Sequence, residues 1–238
     1  VVEWARAAGL GGVEFLCEPP WHPGGWSQEH IRAVRAAGLS LSLHAPVADV
    51  NLMSPHPGVR ALAEREIGAG LSLAAQLEAS TVTFHLGYQP PMGAPHEPPW
   101  HEARAAIAHL ARKAQALGVT LCLENDPKLP GTYLWDLGRF RAFLEELHIP
   151  GTLDLGHAWT AHGAEALSHL VELGPHLRVV HLHDNRGELD EHLALGEGTI
   201  DLAGALPLLR VPTMVIEAKT PEGIHQSLTV LARLRGHF

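Results

Sequence analysis

"LRVVHLHDNRGELDEHLALGEG" occupies residues 177–198. After Arg178 it opens with the apolar pair Val179 and Val180, a strand-like run. The run then meets His181, His183 and Asp184, and continues through Asp190 and His192 into a glycine turn. A buried strand has no use for a charged or chelating end residue unless that residue is paired or metal-bound. The same design recurs along the chain. Strand-like runs lie at 12–18, 39–45, 81–87, 119–125, 151–157, 177–184 and 213–219. Longer segments with helical spacing lie at about 1–9, 27–37, 57–78, 99–117, 133–147, 160–173, 200–209 and 222–235. Buried strands alternating with helices predict a parallel sheet, and this number of units predicts a (β/α)8 TIM barrel forming one domain over 1–238. The seven strands leave one missing, expected ahead of residue 1.

The last polar residues of the strands are His44, His85, Glu124, Asp154, His181 and Glu217, at spacings of 41, 39, 30, 27 and 36 residues. Each spacing is about one strand–helix unit. Strand C-termini of a barrel converge on one face, where active sites are built. Six residues of metal-ligand type in register therefore predict one bowl. His157, Asp190 and His192 extend the set. Imidazoles with carboxylates suit Zn²⁺, Mn²⁺ or a similar divalent ion rather than Ca²⁺.

Composition narrows the partners. The net charge is −9 and lysine occurs only at 113, 128 and 219, which is not the footprint of a general nucleic-acid binder. No run of 18 apolar residues suggests a membrane span. The opening "VVEWARAAGL" reads as an amphipathic helix rather than a signal peptide. Cys17 and Cys122 sit in apolar runs and read as buried free thiols, which suits a cytoplasmic location. An oligomer is compatible with all of this.

The segments "LHAPVADVNLMSP", "TFHLGY", "LENDP", "LDLGHAW", "HLHDNRGELDEHLALGEGTID" and "VIEAK" resemble the xylose-isomerase-like barrels, which include endonuclease IV and many sugar isomerases and epimerases. The resemblance covers essentially the whole chain. In endonuclease IV three zinc ions are held by nine side chains, and each has a match here. His44, His85 and Glu124 match one set. Glu124, Asp154, His181 and Glu217 match the second, with His183 as runner-up to His181. His157, Asp190 and His192 match the third. Three departures stand out: His183 and Arg186 replace an asparagine and a lysine, "DLGH" replaces Asp-Thr-Cys-His, and the insertion before Asp-x-His is shorter.

The isomerase and epimerase relatives use one metal on four ligands, matched by Glu124, Asp154, His181 and Glu217. The resemblance implies that Glu124 and Glu217 act as an acid/base pair and that the metal stabilises an enediolate. The preferred reading is a divalent-metal-dependent sugar or sugar-phosphate isomerase or epimerase. Arg186, Lys219 and Asn125 are the candidate substrate contacts, and Asn125 and Asp184 are candidate orienting partners for the ligands. The alternative is a zinc-dependent phosphodiester hydrolase acting on DNA at abasic sites, with one to three metals per chain distinguishing the two. A third reading is a non-catalytic barrel that binds metal or ligand.

Other positions receive plainer readings. Trp21, Trp26, Trp100 and Trp159 are expected to pack under loops. The proline-rich loop 88–100 is a candidate lid. Asp201 is expected to start a helix, Ser27 to cap one, and His56, His96 and His162 have no partner in the sequence.

Overall fold

The computed structural model describes residues 1–90 and 97–235. Residues 91–96 of the loop 88–100, His96 among them, therefore lie outside the described residues. The chain falls into two compact units, Val1–Leu123 and Glu124–Phe238.

The first unit runs α1 (Val2–Ala7), β1 (Gly12–Leu16), α2 (Gln28–Ala36), β2 (Ser40–His44), α3 (Pro57–Leu77), β3 (Thr81–Phe84) and α4 (Trp100–Leu117), with β4 (Thr120–Glu124) ending at the boundary. Its strands pair in parallel and in chain order, Leu16 beside His44, His44 beside Thr83, and Phe84 beside Leu123. The expected caps are in place. The Ser27 hydroxyl accepts from His30 N at 3.1 Å, and α4 stops where Gly118 takes φ +70°. His56, without a partner in the sequence, caps α3 by accepting from Gly58 N at 3.1 Å.

The second unit runs α5 (Leu137–Leu147), β5 (Gly151–Asp154), α6 (Leu155–His162), α7 (Ala166–Leu173), β6 (Leu177–Leu182), α8 (Leu202–Ala205), β7 (Thr213–Ile216) and α9 (Pro221–Arg235). Strands β5, β6 and β7 are parallel, with Asp154 opposite His181 and His181 opposite Val215.

Three segments differ from the sequence expectation, one being the helix expected over 160–173, which a 3-10 turn at Gly163–Glu165 divides between α6 and α7. The run 151–157 is not all strand, because Asp154 ends β5 and caps α6, accepting from His157 N at 2.7 Å. An N-cap aspartate satisfies an otherwise orphaned helix donor, so the apolar "LGHAW" that follows is recruited into a helix. The segment 200–209 gives only the four residues of α8 and a 3-10 turn at Leu206–Leu208 that contains Pro207. Asp201 does start that helix, accepting from Gly204 N at 2.9 Å. His162 accepts from Leu137 N at 3.3 Å, supplying one of the first donors of α5.

Apolar contact sets the height at which β5 ends. Phe140 and Leu144 of α5 are fully buried, and a Cβ built on Gly151 would stand 2.7 Å from Leu144 Cδ1 and 3.0 Å from Phe140 Cζ. The helix thus rests directly on the first residue of the strand that carries Asp154. Phe140→Ala is expected to cost about 3–5 kcal/mol by leaving a void beneath the strand. Urea denaturation followed by circular dichroism checks this, and a loss below about 1 kcal/mol would refute the packing argument.

Candidate metal centre

The first unit holds two of the histidines singled out in the sequence. His44 ends β2, and its Nδ1 donates to Ala45 O at 2.7 Å. His85 lies one residue past β3, and the two rings stand 5.4 Å apart between centroids. Asn51 pins the chain beyond His85, its amide donating to Tyr88 O at 2.7 Å and accepting from Tyr88 N at 3.2 Å.

The second unit brings together the larger share of the candidate ligands. Asp154 and His181 are paired neighbours on β5 and β6, and both have no exposure to solvent. Glu124 Oε1 lies 3.2 Å and Glu217 Oε1 3.1 Å from the same atom, His181 Nδ1. Two carboxylates from β4 and from the residue just past β7 therefore converge on one imidazole. Asp154 Oδ2 is buried without a hydrogen-bond partner, a costly state for a carboxylate oxygen unless a cation reaches it.

A second group assembles around Asp190. His157 Nε2 is 3.4 Å and His192 Nε2 3.1 Å from Asp190 Oδ2, and His183 Nε2 is 3.3 Å from Asp190 Oδ1. The sequence offers His183 as an alternative to His181; the structure sets His181 against Glu124 and Glu217 and His183 against Asp154 and Asp190. The signal is present in the sequence: residues two apart on a strand share a face. His183 is wholly buried, and its ring stacks on His192 at 4.0 Å.

The supports of these ligands come from short polar motifs. Asn125 has no exposure; its amide accepts from Asp154 N at 2.7 Å and donates to Asp154 O at 3.1 Å. Its backbone carbonyl accepts from His157 Nδ1 at 2.8 Å. Asn125 is thus committed to positioning Asp154 and His157, and its amide is not turned towards a substrate. The Asp184 carboxylate accepts from Asn185 N at 2.9 Å, Gly196 N at 2.9 Å and Ile200 N at 3.2 Å. Its backbone also pairs in both directions with Leu193, each bond 2.9 Å long. That clamp returns the loop carrying Asp190 and His192 to β6. It also holds His192 at φ +51°, a conformation that side chains other than glycine seldom adopt.

Of the proposed phosphate partners, Arg186 is ion-paired with Glu191 and more than half exposed, and Lys219 is exposed. Of the tryptophans expected to pack under loops, Trp159 is buried, Trp26 and Trp100 are half-buried and Trp21 is exposed. Trp21 and Trp26 lie 5.5 and 5.2 Å from Phe15, and Trp159 donates to Thr199 Oγ1 at 3.1 Å. Cys17 and Cys122 are buried and outside any disulfide, with Cys17 pushed up to about 12 by burial and by Glu14 and Glu18. No helix among the described residues is long and apolar enough to cross a membrane.

The family model of the xylose isomerase-like TIM barrel matches residues 2–234. The chain belongs to that family. The barrel class expected from the alternating strands and helices is therefore correct. Two uncharacterized proteins of Methanocaldococcus jannaschii are 27% and 30% identical over 180 and 181 residues, or 74% and 72% of this chain. Those alignments span 68% and 60% of the relatives' own lengths. Among solved structures, a D-tagatose 3-epimerase-like protein is 25% identical over 95% of this chain and 89% of its own, with a TM-score of 0.83. A Thermus thermophilus protein soaked with ZnCl2 is 29% identical over 98% of this chain and 92% of its own, with a TM-score of 0.75. Endonuclease IV of the same organism shares the fold at 22% identity and a TM-score of 0.78, covering 100% of this chain and 93% of its own.

The residues present fit divalent metal chemistry. His157, His183 and His192 each point Nδ1 at a backbone carbonyl, those of Asn125, Asp184 and Glu217, at 2.8, 3.3 and 3.2 Å. A carbonyl only accepts, so Nδ1 carries the proton and the Nε2 lone pair turns towards Asp190. Lone pairs facing a carboxylate repel unless a cation stands between them. In the metal-free protein that cation is a proton. Burial opposes it, but the charge of Asp154 and the hydrogen bond and charge of Asp190 prevail, raising His157 to about 10. Burial opposes protonation of His183 too, and Asp154 and Asp190 raise it to about 9. These raised values stabilise the fold fully below the ordinary histidine value near ~6.5. The contribution is lost as pH climbs through about 9 to 10. The metal-free protein is therefore expected to lose melting temperature across that window, and the metal-loaded protein to keep it. Metal uptake at pH 7 must also expel those protons. Titration calorimetry in buffers of different ionisation enthalpy should register the release, and uptake without protons would refute the assignment.

Proposed function

We propose that this chain is a divalent-metal-dependent sugar or sugar-phosphate isomerase or epimerase. The observation that carries the reading is the approach of Glu124 and Glu217 to the single nitrogen His181 Nδ1, at 3.2 and 3.1 Å. Proton transfer at a sugar carbon needs two carboxylates held across one small volume, one to remove a proton and one to return it. Glu124 is buried and Glu217 is partly open, so the pair joins a dry side to an accessible one. The metal would be held by Glu124, Asp154, His181 and Glu217. When bound, it polarises neighbouring carbonyl and hydroxyl oxygens of a sugar. The remaining work belongs to the protein. Asp154 is fixed by the Asn125 amide, His181 is fixed by its neighbours in the sheet, and Glu217 N donates to Leu182 O at 2.9 Å. The similarity to a D-tagatose 3-epimerase-like protein supports the same class.

A second reading keeps an observation of its own. The group around Asp190 exceeds what a single-metal isomerase needs, as a hydrolase using several metals would require. Net charge of −9 speaks against a duplex DNA substrate.

Solvent-deuterium exchange beside the carbonyl of a panel of ketoses and ketose phosphates, followed by NMR with the metal-loaded protein, tests the proposal. Exchange is expected in the wild type, and Glu124→Gln and Glu217→Gln should each lower its rate by about 10²–10⁴-fold. Nicking of an abasic oligonucleotide, with no exchange on any sugar of the panel, would replace this reading with the second.

A further inference from the structure

Two departures from the endonuclease IV pattern turn out to be one. Gly156 stands in the first turn of α6, where a helix would ordinarily tolerate any side chain. A Cβ built there would lie 2.0 Å from His183 Cε1, 2.3 Å from Nε2 and 2.6 Å from Nδ1. The His183 ring occupies the very space that the side chain of residue 156 would fill. The glycine in "DLGH" and the second histidine in "HLHD" thus require each other. Asn185 closes the cradle, its amide donating to Gly156 O at 2.9 Å.

The ring so accommodated delivers its Nε2 to the group around Asp190. Nε2 lies 3.3 Å from Asp190 Oδ1 and 3.1 Å from Asp154 Oδ1. The three imidazole-to-carboxylate separations at Asp190 are 3.4, 3.3 and 3.1 Å. Donors on a tetrahedral divalent ion with bonds of about 2.0–2.1 Å stand about 3.3–3.4 Å apart; His157 and His192 approach Asp190 Oδ2 at near that spacing, while His183 approaches the other oxygen and, stacked on His192, has to turn for both Nε2 atoms to meet one ion. The four donor atoms all lie within 4.8 Å of one another.

We propose that His183 is the fourth protein donor of a second metal centre, completed by His157, Asp190 and His192. Three imidazoles and one carboxylate are enough to fill a tetrahedral sphere, as in structural sites, whereas the carboxylate-rich set of Glu124, Asp154, His181 and Glu217 suits a higher coordination number that leaves positions for substrate oxygens. The centre then ties β6, the first turn of α6 and the loop around Asp190 together, and presents no reactive water. The inference rests on the metal-dependent reading above. It assigns the extra ligands a holding role and leaves the chemistry to Glu124 and Glu217.

The test is a Co²⁺ titration of chelator-treated full-length protein, read by visible absorption and by metal content per chain. Four-coordinate cobalt absorbs intensely, and cobalt with bound waters absorbs weakly. The wild type is expected to show an intense component. His183→Asn should abolish it and weaken that binding step by about tenfold to a hundredfold or more. Gly156→Ala, which keeps every donor but displaces the ring, should do the same. The double variant Gly156→Ala/His183→Asn relieves the clash and guards against simple misfolding; it should melt no lower than His183→Asn and still lack the band.

An intense band surviving in all three variants would overturn the proposal. A wild type showing only weak bands would also overturn it, leaving His183 as a protonated bridge between Asp154 and Asp190. Failure of the sugar reading is distinguishable. Absence of deuterium exchange together with a His183-dependent intense band would sink the isomerase and leave this centre standing.

Discussion

Asp154 is a carboxylate with no access to water, and much of the second unit is arranged to make that tolerable. Burial alone would push its proton affinity up. The charges of His157 and His183, and the hydrogen bond from His183, reverse the effect and hold the group at about 2. The same residue ends β5, caps α6 and sits beside His181 in the sheet. An aspartate is short enough to do all of this only if the backbone on either side is held rigidly. The Asn125 amide grips both the N–H and the C=O of Asp154, extending the hydrogen-bond ladder with a side chain where the strand runs out. A buried anion fixed in this way is a standing demand for a cation, and the surrounding imidazoles meet it with protons or share it with a metal.

That demand explains why the site is rich in histidine and not in lysine or arginine. A guanidinium would neutralise Asp154 permanently and exclude a metal. An imidazole can give up its proton and remain as a neutral ligand. The group around Asp190 uses this property, with backbone carbonyls deciding which ring nitrogen keeps its hydrogen. The protein thereby stores positive charge that a divalent ion, under the proposed reading, would displace, and folding and metal binding would then be coupled through the same few side chains.

Much of this is legible in the chain. Buried strands closed by His44, Glu124, Asp154 and His181 announce a parallel sheet with chelating ends, because interior strands tolerate such residues only for a reason. His85 and Glu217 are also visible, although each lies one residue beyond its strand. The start of α6 is harder to read: "GTLDLGHAW" is apolar enough to continue as strand, and only the capping bond of Asp154 decides otherwise. His183 is obscured by its neighbour, since a motif that offers two histidines invites a choice between them. Asn125 looks like a group for a substrate because a buried amide next to a ligand is equally suited to either task. Its hydrogen bonds, and not its residue type, assign it to Asp154.

The Asp184 clamp has a consequence for how such proteins diversify. Its carboxylate and backbone tie the loop at Asn185 and again at Leu193, Gly196 and Ile200. Between those anchors the tip from Arg186 to Leu189 carries none of the donor atoms. That tip is nevertheless not loose: Glu191, the residue between Asp190 and His192, accepts from Arg186 N and pairs with its guanidinium. A change of length in the tip is therefore transmitted to both donors, and variation that keeps this grip is confined to side chains. The rim is geared to the floor beneath it.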